Sequence, residues 1–133
     1  MIPKFRAWDK RKNVMRDVAV LHFTKNGKTN FIEYWINPTE LKSYHVRNID
    51  LMQSTGMKDK NGVEIFEGDV VITSKGAIGY VAYLQQEAGF VVVLKKSDYR
   101  LGHRNTGESY DVATAHEVIG NIYENSELLE EQR

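Results

Sequence analysis

Residues 54–71 read STGMKDKNGVEIFEGDVV, with three glycines and four acidic residues ahead of an abruptly apolar run. Whether this stretch grips a ligand or turns the chain decides how the rest is read. An EF-hand loop needs acidic or amide side chains at positions 1, 3 and 5, glycine at 6 and glutamate at 12. Counted from Asp59, position 5 is Val63, position 6 is Glu64 and position 12 is Val70, so the calcium template fails. Glycines at 56, 62 and 68 match neither a Walker loop nor a dinucleotide fingerprint, and an apolar strand rather than a helix follows Gly68. Two turns fit better. Asn61-Gly62 supplies left-handed backbone geometry, and Asp59 accepts from N–H groups two residues on. Glu67-Gly68-Asp69 is a second turn, in which Gly68 escapes the Cβ penalty and Asp69 bonds back to the backbone.

Working outward, no segment sustains a helical period, and short apolar runs alternate with turn signals. KFRAWD (4–9) reads as a first strand, KRKN (10–13) as a turn and VMRDVAVLHF (14–23) as the second strand. Asn26-Gly27 predicts a type I′ hairpin, which requires two residues with positive φ. The return strand NFIEYWI (30–36) places Phe31, Glu33 and Trp35 on one face and Ile32, Tyr34 and Ile36 on the other. Asn37-Pro38 ends it, and Thr39 is a cap for one helical turn holding Glu40 and Leu41. VRNIDLMQS (46–54) reads as a further strand, and DVVITS, AIGYVAYLQQ and GFVVVLKK form a meander after it. The segment 97–113 reads as a loop, HEVIGNIYE (116–124) as the last strand, and 125–133 as a helical turn or acidic tail capped by Asn125 or Ser126.

Composition narrows the classes. The chain has 133 residues, 41% of them apolar, enough for one domain or two small subdomains. Its apolar runs fall well short of the roughly 20 residues of a membrane span. It has no cysteine, so disulfides, thiolate zinc sites and cysteine nucleophiles are excluded, and a reducing cytoplasm is expected. His22, His45, His103 and His116 show no metal-ligand spacing, and no GxSxG elbow is present. The paired carboxylates Glu64 with Glu67 and Glu130 with Glu131 lack glycosidase context. No cofactor or metal is expected, and no catalytic residue.

Three blocks, KFRAWDKRKNVM, LMQSTGMKDKNGVEIFEGDVV and EVIGNIYENSELL, together resemble the YopX family of small phage and prophage proteins. The resemblance spans nearly the whole chain, while 14–47 and 97–115 carry little of it. It implies a β-rich fold with an SH3-type barrel in its C-terminal part, and it brings no catalytic residues. The expected architecture is mainly β: an N-terminal β-hairpin unit (1–60) packed with a small SH3-like barrel (61–124), then an acidic tail (125–133).

Charge supplies the candidate contacts. Residues 1–60 hold 12 Lys and Arg against 6 Asp and Glu, and residues 61–133 hold the reverse, so halves of +6 and −6 sum to zero. Such halves can pair head to tail or dock on a partner. Lys4, Arg6, Lys10, Arg11 and Lys12 surround Trp8, the cation–aromatic mix of single-strand nucleic-acid binders. Lys95, Lys96, Arg100, His103 and Arg104 form a second basic cluster. The reading that results is a non-catalytic interaction module in the bacterial host cytoplasm, engaging a protein partner or a second copy of itself. A nucleic-acid-binding accessory protein is the alternative, and an enzyme without a recognisable motif is the second.

Overall fold

The computed structural model describes residues 4–94, 100–101 and 116–130. It is mainly β. The strands are β1 (Phe5–Asp9), β2 (Val14–Phe23), β3 (Thr29–Asn37), β4 (Glu40–His45), β5 (Ile49–Lys58), β6 (Glu64–Phe66) and β7 (Asp69–Ile72). They continue with β8 (Ile78–Leu84), β9 (Gly89–Leu94), β10 (Arg100–Leu101) and β11 (Glu117–Asn121), and three short 3₁₀ turns cover Val46–Asn48, Gln85–Glu87 and Ser126–Leu129. Two antiparallel sheets result, in the orders β4-β3-β2-β1-β5-β6 and β10-β9-β8-β7-β11. The chain divides into two compact units, Met1–Ser54 and Thr55–Arg133.

In the first unit, period-2 alternation works as the sequence suggests. Ala7, Ile32, Tyr34 and Ile49 form the buried cluster, with Val18, Leu21, Tyr44 and Leu51 packed against it. In the second unit the core is Ile65, Val71, Val81 and Val92, flanked by Phe90, Leu94 and Val118. The pairings described there form an open order from β10 to β11; a ring closed into a barrel is not among them.

Three hairpin loops share one geometry, and they correct the type I′ expectation. In TKNGK (24–28), Thr24 N–H donates to the Lys28 carbonyl (2.7 Å) and Gly27 N–H donates to the Thr24 carbonyl (2.9 Å). Only Gly27 has positive φ; Asn26 does not. That is a three-residue loop in which a left-handed glycine follows a tight turn, the arrangement that leaves a bulge at the hairpin end. DKNGV (59–63) repeats it through Asp59 N–H to Val63 (2.8 Å) and Gly62 N–H to Asp59 (3.0 Å). TSKGA (73–77) repeats it again, with Gly76 as the left-handed residue. The asparagine before glycine therefore contributes no second positive φ at either Asn26 or Asn61.

Two boundaries also differ. The helical turn expected after Pro38 is absent, and Glu40–His45 is strand β4, paired with β3 from Phe31↔His45 to Asn37↔Glu40. Asn37 explains this: its Oδ1 accepts from Thr39 N–H (3.0 Å) and the Thr39 hydroxyl (3.1 Å), and its Nδ2 donates to Glu40 (2.9 Å). The asparagine bends the chain back on itself before Thr39 can cap a helix. The strand expected from residue 46 begins only at Ile49, after a 3₁₀ turn, and runs on to Lys58. Apart from Arg100–Leu101, the loop expected over 97–113 lies outside the described residues.

Candidate functional site

The most informative buried groups are not apolar. Asp9, Asp59, Asp69 and Asn121 are all buried, and each accepts backbone N–H groups at a turn. Asp9 Oδ1 accepts from Arg11 N–H (3.0 Å) and Lys12 N–H (3.1 Å), and the Tyr44 hydroxyl lies 3.3 Å away. Burial, and then the nearby Asp9 carboxylate, raise the Tyr44 hydroxyl above its ordinary value, so it stays protonated as a donor. Arg16 places its guanidinium 3.5 Å from Asp9 Oδ2 and 4.8 Å over the Tyr34 ring. Asp69 Oδ2 accepts from Phe66 N–H (2.7 Å), and Asn121 Oδ1 accepts from Tyr123 (3.0 Å) and Glu124 (2.8 Å).

Asp59 ties segments 59 residues apart in the chain. Its Oδ1 accepts from Asn61 N–H and Val63 N–H, both at 2.8 Å, and its Oδ2 accepts from Val118 N–H at 2.9 Å. Burial pushes this carboxyl up, but the N–H groups of Val118, Val63 and Asn61, with the Lys60 charge, outweigh it and hold the group below its ordinary value. The two aspartates of the stretch that first suggested a ligand loop thus already accept from the backbone. Among the described residues no group of three or more His, Cys, Asp or Glu is placed to hold a metal ion. Among the same residues no helix is long and apolar enough to cross a membrane.

The surface of the first unit is different. Antiparallel partners share a face, so Val20, His22, Phe31, Glu33, Trp35, Leu41, Ser43 and His45 lie together on the side of β2–β3–β4 opposite the core. Phe31 stays 40% exposed, Trp35 44% and Phe23, beside the β2 bulge, 60%. His22 and His45 flank Phe31 on either side: the His45 ring meets it edge-on at 5.1 Å, and His22 Nε2 lies 2.7 Å from Glu33. Where β3 turns toward β4, Asp17, Trp35, Ile36, Asn37 and Pro38 line an open hollow of about 460 Å³. Alternation placed Phe31, Glu33 and Trp35 on one face. What alternation alone misses is that this face is the uncovered one.

The predicted basic strand is dispersed. Lys4 and the turn residues Lys10, Arg11 and Lys12 are exposed, whereas Arg6 is half-buried. Trp8 retains 9% exposure, so its ring is not open for a nucleic-acid base to stack on. Lys10 pairs with Asp50 (3.4 Å), and Arg11 lies 5.6 Å over the Tyr44 ring. Lys95, Lys96, His103 and Arg104 lie outside the described residues, as does the side chain of Arg100. The turn residues Asn26, Gly27, Asp59, Asn61, Gly62, Gly68 and Asp69 all sit in turns or at their margins.

The positions of the buried turn groups are those of the three sequence blocks noted above, and a model of the YopX protein family matches residues 4–130. The chain belongs to the YopX family. Similar solved structures include a protein from Enterococcus faecalis, 29% identical over 98% of this chain and 99% of that one, with a TM-score of 0.66. Protein yopX from Bacillus subtilis is 21% identical over 98% of each chain, with a TM-score of 0.57, a likeness of fold. No curated protein matches the chain. Within the YopX signature, Gly120 has a local reason: a Cβ there would stand 2.5 Å from Asn125 Oδ1, which accepts from Asn121 N–H.

Proposed function

We propose that this YopX protein is a non-catalytic protein-interaction module of a phage or prophage, acting in the bacterial cytoplasm. Its two antiparallel sheets carry separate duties, and we read the second unit as the small SH3-like barrel that the family resemblance implies. The partner docks on the outer face of β2–β3–β4. The observation that carries this reading is the cluster of exposed Phe31, Trp35, Val20 and Leu41 on one face, with Phe23 at its end. Exposed apolar side chains gathered on one face, here with His22, Glu33, Ser43 and His45 among them, mark interaction sites more often than singly scattered ones do. Aromatic residues are also the side chains that interface centres favour. β4 is the edge of its sheet, so a partner strand has open backbone groups beside the patch.

Site-specific photo-crosslinking in the host tests the proposal. A photoreactive residue at Leu41 is expected to yield a discrete protein adduct, or a dimer of this chain, that the same residue at Tyr83 of the second unit does not yield. Equal labelling from both positions, or none from Leu41, would remove the reading. The nucleic-acid alternative keeps the exposed cations of the 10–12 turn and loses its stacking ring. Absence of oligonucleotide binding at about 50 mM salt, where phosphate contacts are strongest, would end it.

A further inference from the structure

The hollow beside Trp35 is chemically uneven. Asp17 stands one residue beyond the Val18–Tyr34 pair of β2 and β3, which puts it on the outer face beside Trp35. Ile36 and Pro38 form apolar walls, and the polar atoms of Asn37 are already engaged by Thr39 and Glu40. That leaves the Asp17 carboxylate as the charged group facing the space. Among the described residues the Asp17 carboxylate enters no hydrogen bond or ion pair, although Arg6 is its cross-strand neighbour on β1.

We infer that this hollow receives a lysine or arginine side chain of the partner, its cationic head held between Asp17 and the Trp35 ring. The inference rests on the proposed interaction role of this face and names the chemistry of what docks there. An indole face attracts a cation through its ring quadrupole, and an adjacent carboxylate adds a charge partner. The methylene stem of the same side chain lies along Ile36 and Pro38, the way long cationic side chains use apolar surface. An anionic group meets Asp17 and is repelled. A purely apolar group would cover the carboxylate without pairing it, which costs desolvation. The volume lies in the range of small-ligand sites, ample for one such side chain. Salt weakens the contact because the Asp17–cation attraction is exposed and screened, and Arg6 across the strand already offsets part of it.

NMR titration with capped tripeptides tests this on the full chain. Probes with central arginine, lysine or norleucine are added while the indole N–H signals of both tryptophans are followed, the buried Trp8 serving as an internal control. The arginine and lysine probes are expected to shift Trp35 with millimolar affinity and to leave Trp8 in place. Asp17→Asn is expected to weaken them about threefold, the scale of one exposed charge pair. Raising salt from about 20 to about 200 mM weakens them further. An equal response to norleucine, no Trp35 shift at about 20 mM probe, or indifference to Asp17→Asn would overturn the inference. If Asp17→Asn leaves the Leu41 photo-adduct intact and the probes do not bind, the cation pocket fails alone. If the probes bind as expected and Leu41 gives no adduct, the interaction reading fails and the hollow stands as a cation site without that partner.

Discussion

The two units keep their apolar side chains in different places. Among the described residues, large exposed hydrophobics of the first unit are Val20, Phe23, Phe31, Trp35, Ile36 and Leu41, against Val63 and Tyr83 in the second. The second unit turns its valines inward and anchors its turns with buried Asp59, Asp69 and Asn121. The first has a comparable core in Ala7, Ile32, Tyr34 and Ile49, yet leaves an aromatic face uncovered on β2–β3–β4. That face falls within 14–47, the stretch that carries little of the family resemblance, whereas the family blocks coincide with buried turn groups. On the proposed reading, fold and recognition occupy different residues.

That division can be broken from its strongest side first. Asp59→Ala removes the acceptor of three backbone N–H groups, those of Asn61, Val63 and Val118, in a buried setting. A loss of about 3–4 kcal/mol in urea unfolding is expected, since charge-assisted bonds and orphaned donors both count. A loss under about 1 kcal/mol would mean that the turn holds without its carboxylate.

The same group sets a pH dependence. Its folded value lies below the ordinary 3.8, so its contribution is fully present above that value and is lost as pH falls through the folded value. Stability measured from pH 5 down to pH 2.5, in steps of about half a unit, is expected to decline more steeply in the native protein than in Asp59→Asn. Parallel curves would contradict the assignment.

Glycine substitutions come next and separate crowding from backbone strain. A Cβ at Gly79 would stand 2.4 Å from the Val93 carbonyl oxygen, a rigid backbone neighbour. Gly79→Ala is therefore expected to cost about 2–3 kcal/mol through forced displacement of β9. At Gly27, φ is +83° and nothing lies within 4 Å of the added atom, so Gly27→Ala carries only the left-handed penalty, about 1 kcal/mol. Thermal or urea unfolding of the two variants checks the order. Equal losses would show that the Gly79 contact relaxes freely. Phe31→Ser with Trp35→Ser is expected to cost about 1 kcal/mol, because both rings are partly exposed and lose only part of their cross-strand packing.

Much of this was legible in the residues. Strand β2 matches VMRDVAVLHF at both ends, because turn residues bracket it, and the buried side of β3 follows from simple alternation. The turn reading was legible for Asp59 from its Asx spacing to the N–H groups that follow, and for Asp69 from its place after Glu67-Gly68, where it bonds back to Phe66 N–H. Other features were hidden for physical reasons. Asn-Gly serves both a two-residue and a three-residue hairpin loop, and only the pairing register separates them. Glu40 and Leu41 favour a helix locally, but Asn37 and the edge of β3 recruit them into a strand. Trp8 sits among five cations in sequence and is nevertheless buried, since neighbours along a strand do not reveal what covers its face. Which side of β3 remains uncovered is likewise a property of the assembled sheet, and no local pattern encodes it.

The central claim is that recognition resides on the outer face of β2–β3–β4 and stability elsewhere. Its most direct test is the affinity of the photo-captured partner for the native chain and for Phe31→Ser/Trp35→Ser, with unfolding followed on the same samples. The account predicts at least a tenfold loss of affinity, about 1.4 kcal/mol, while the variant stays fully folded at the assay temperature. Undiminished affinity, or a loss of binding that tracks a loss of fold, would contradict it.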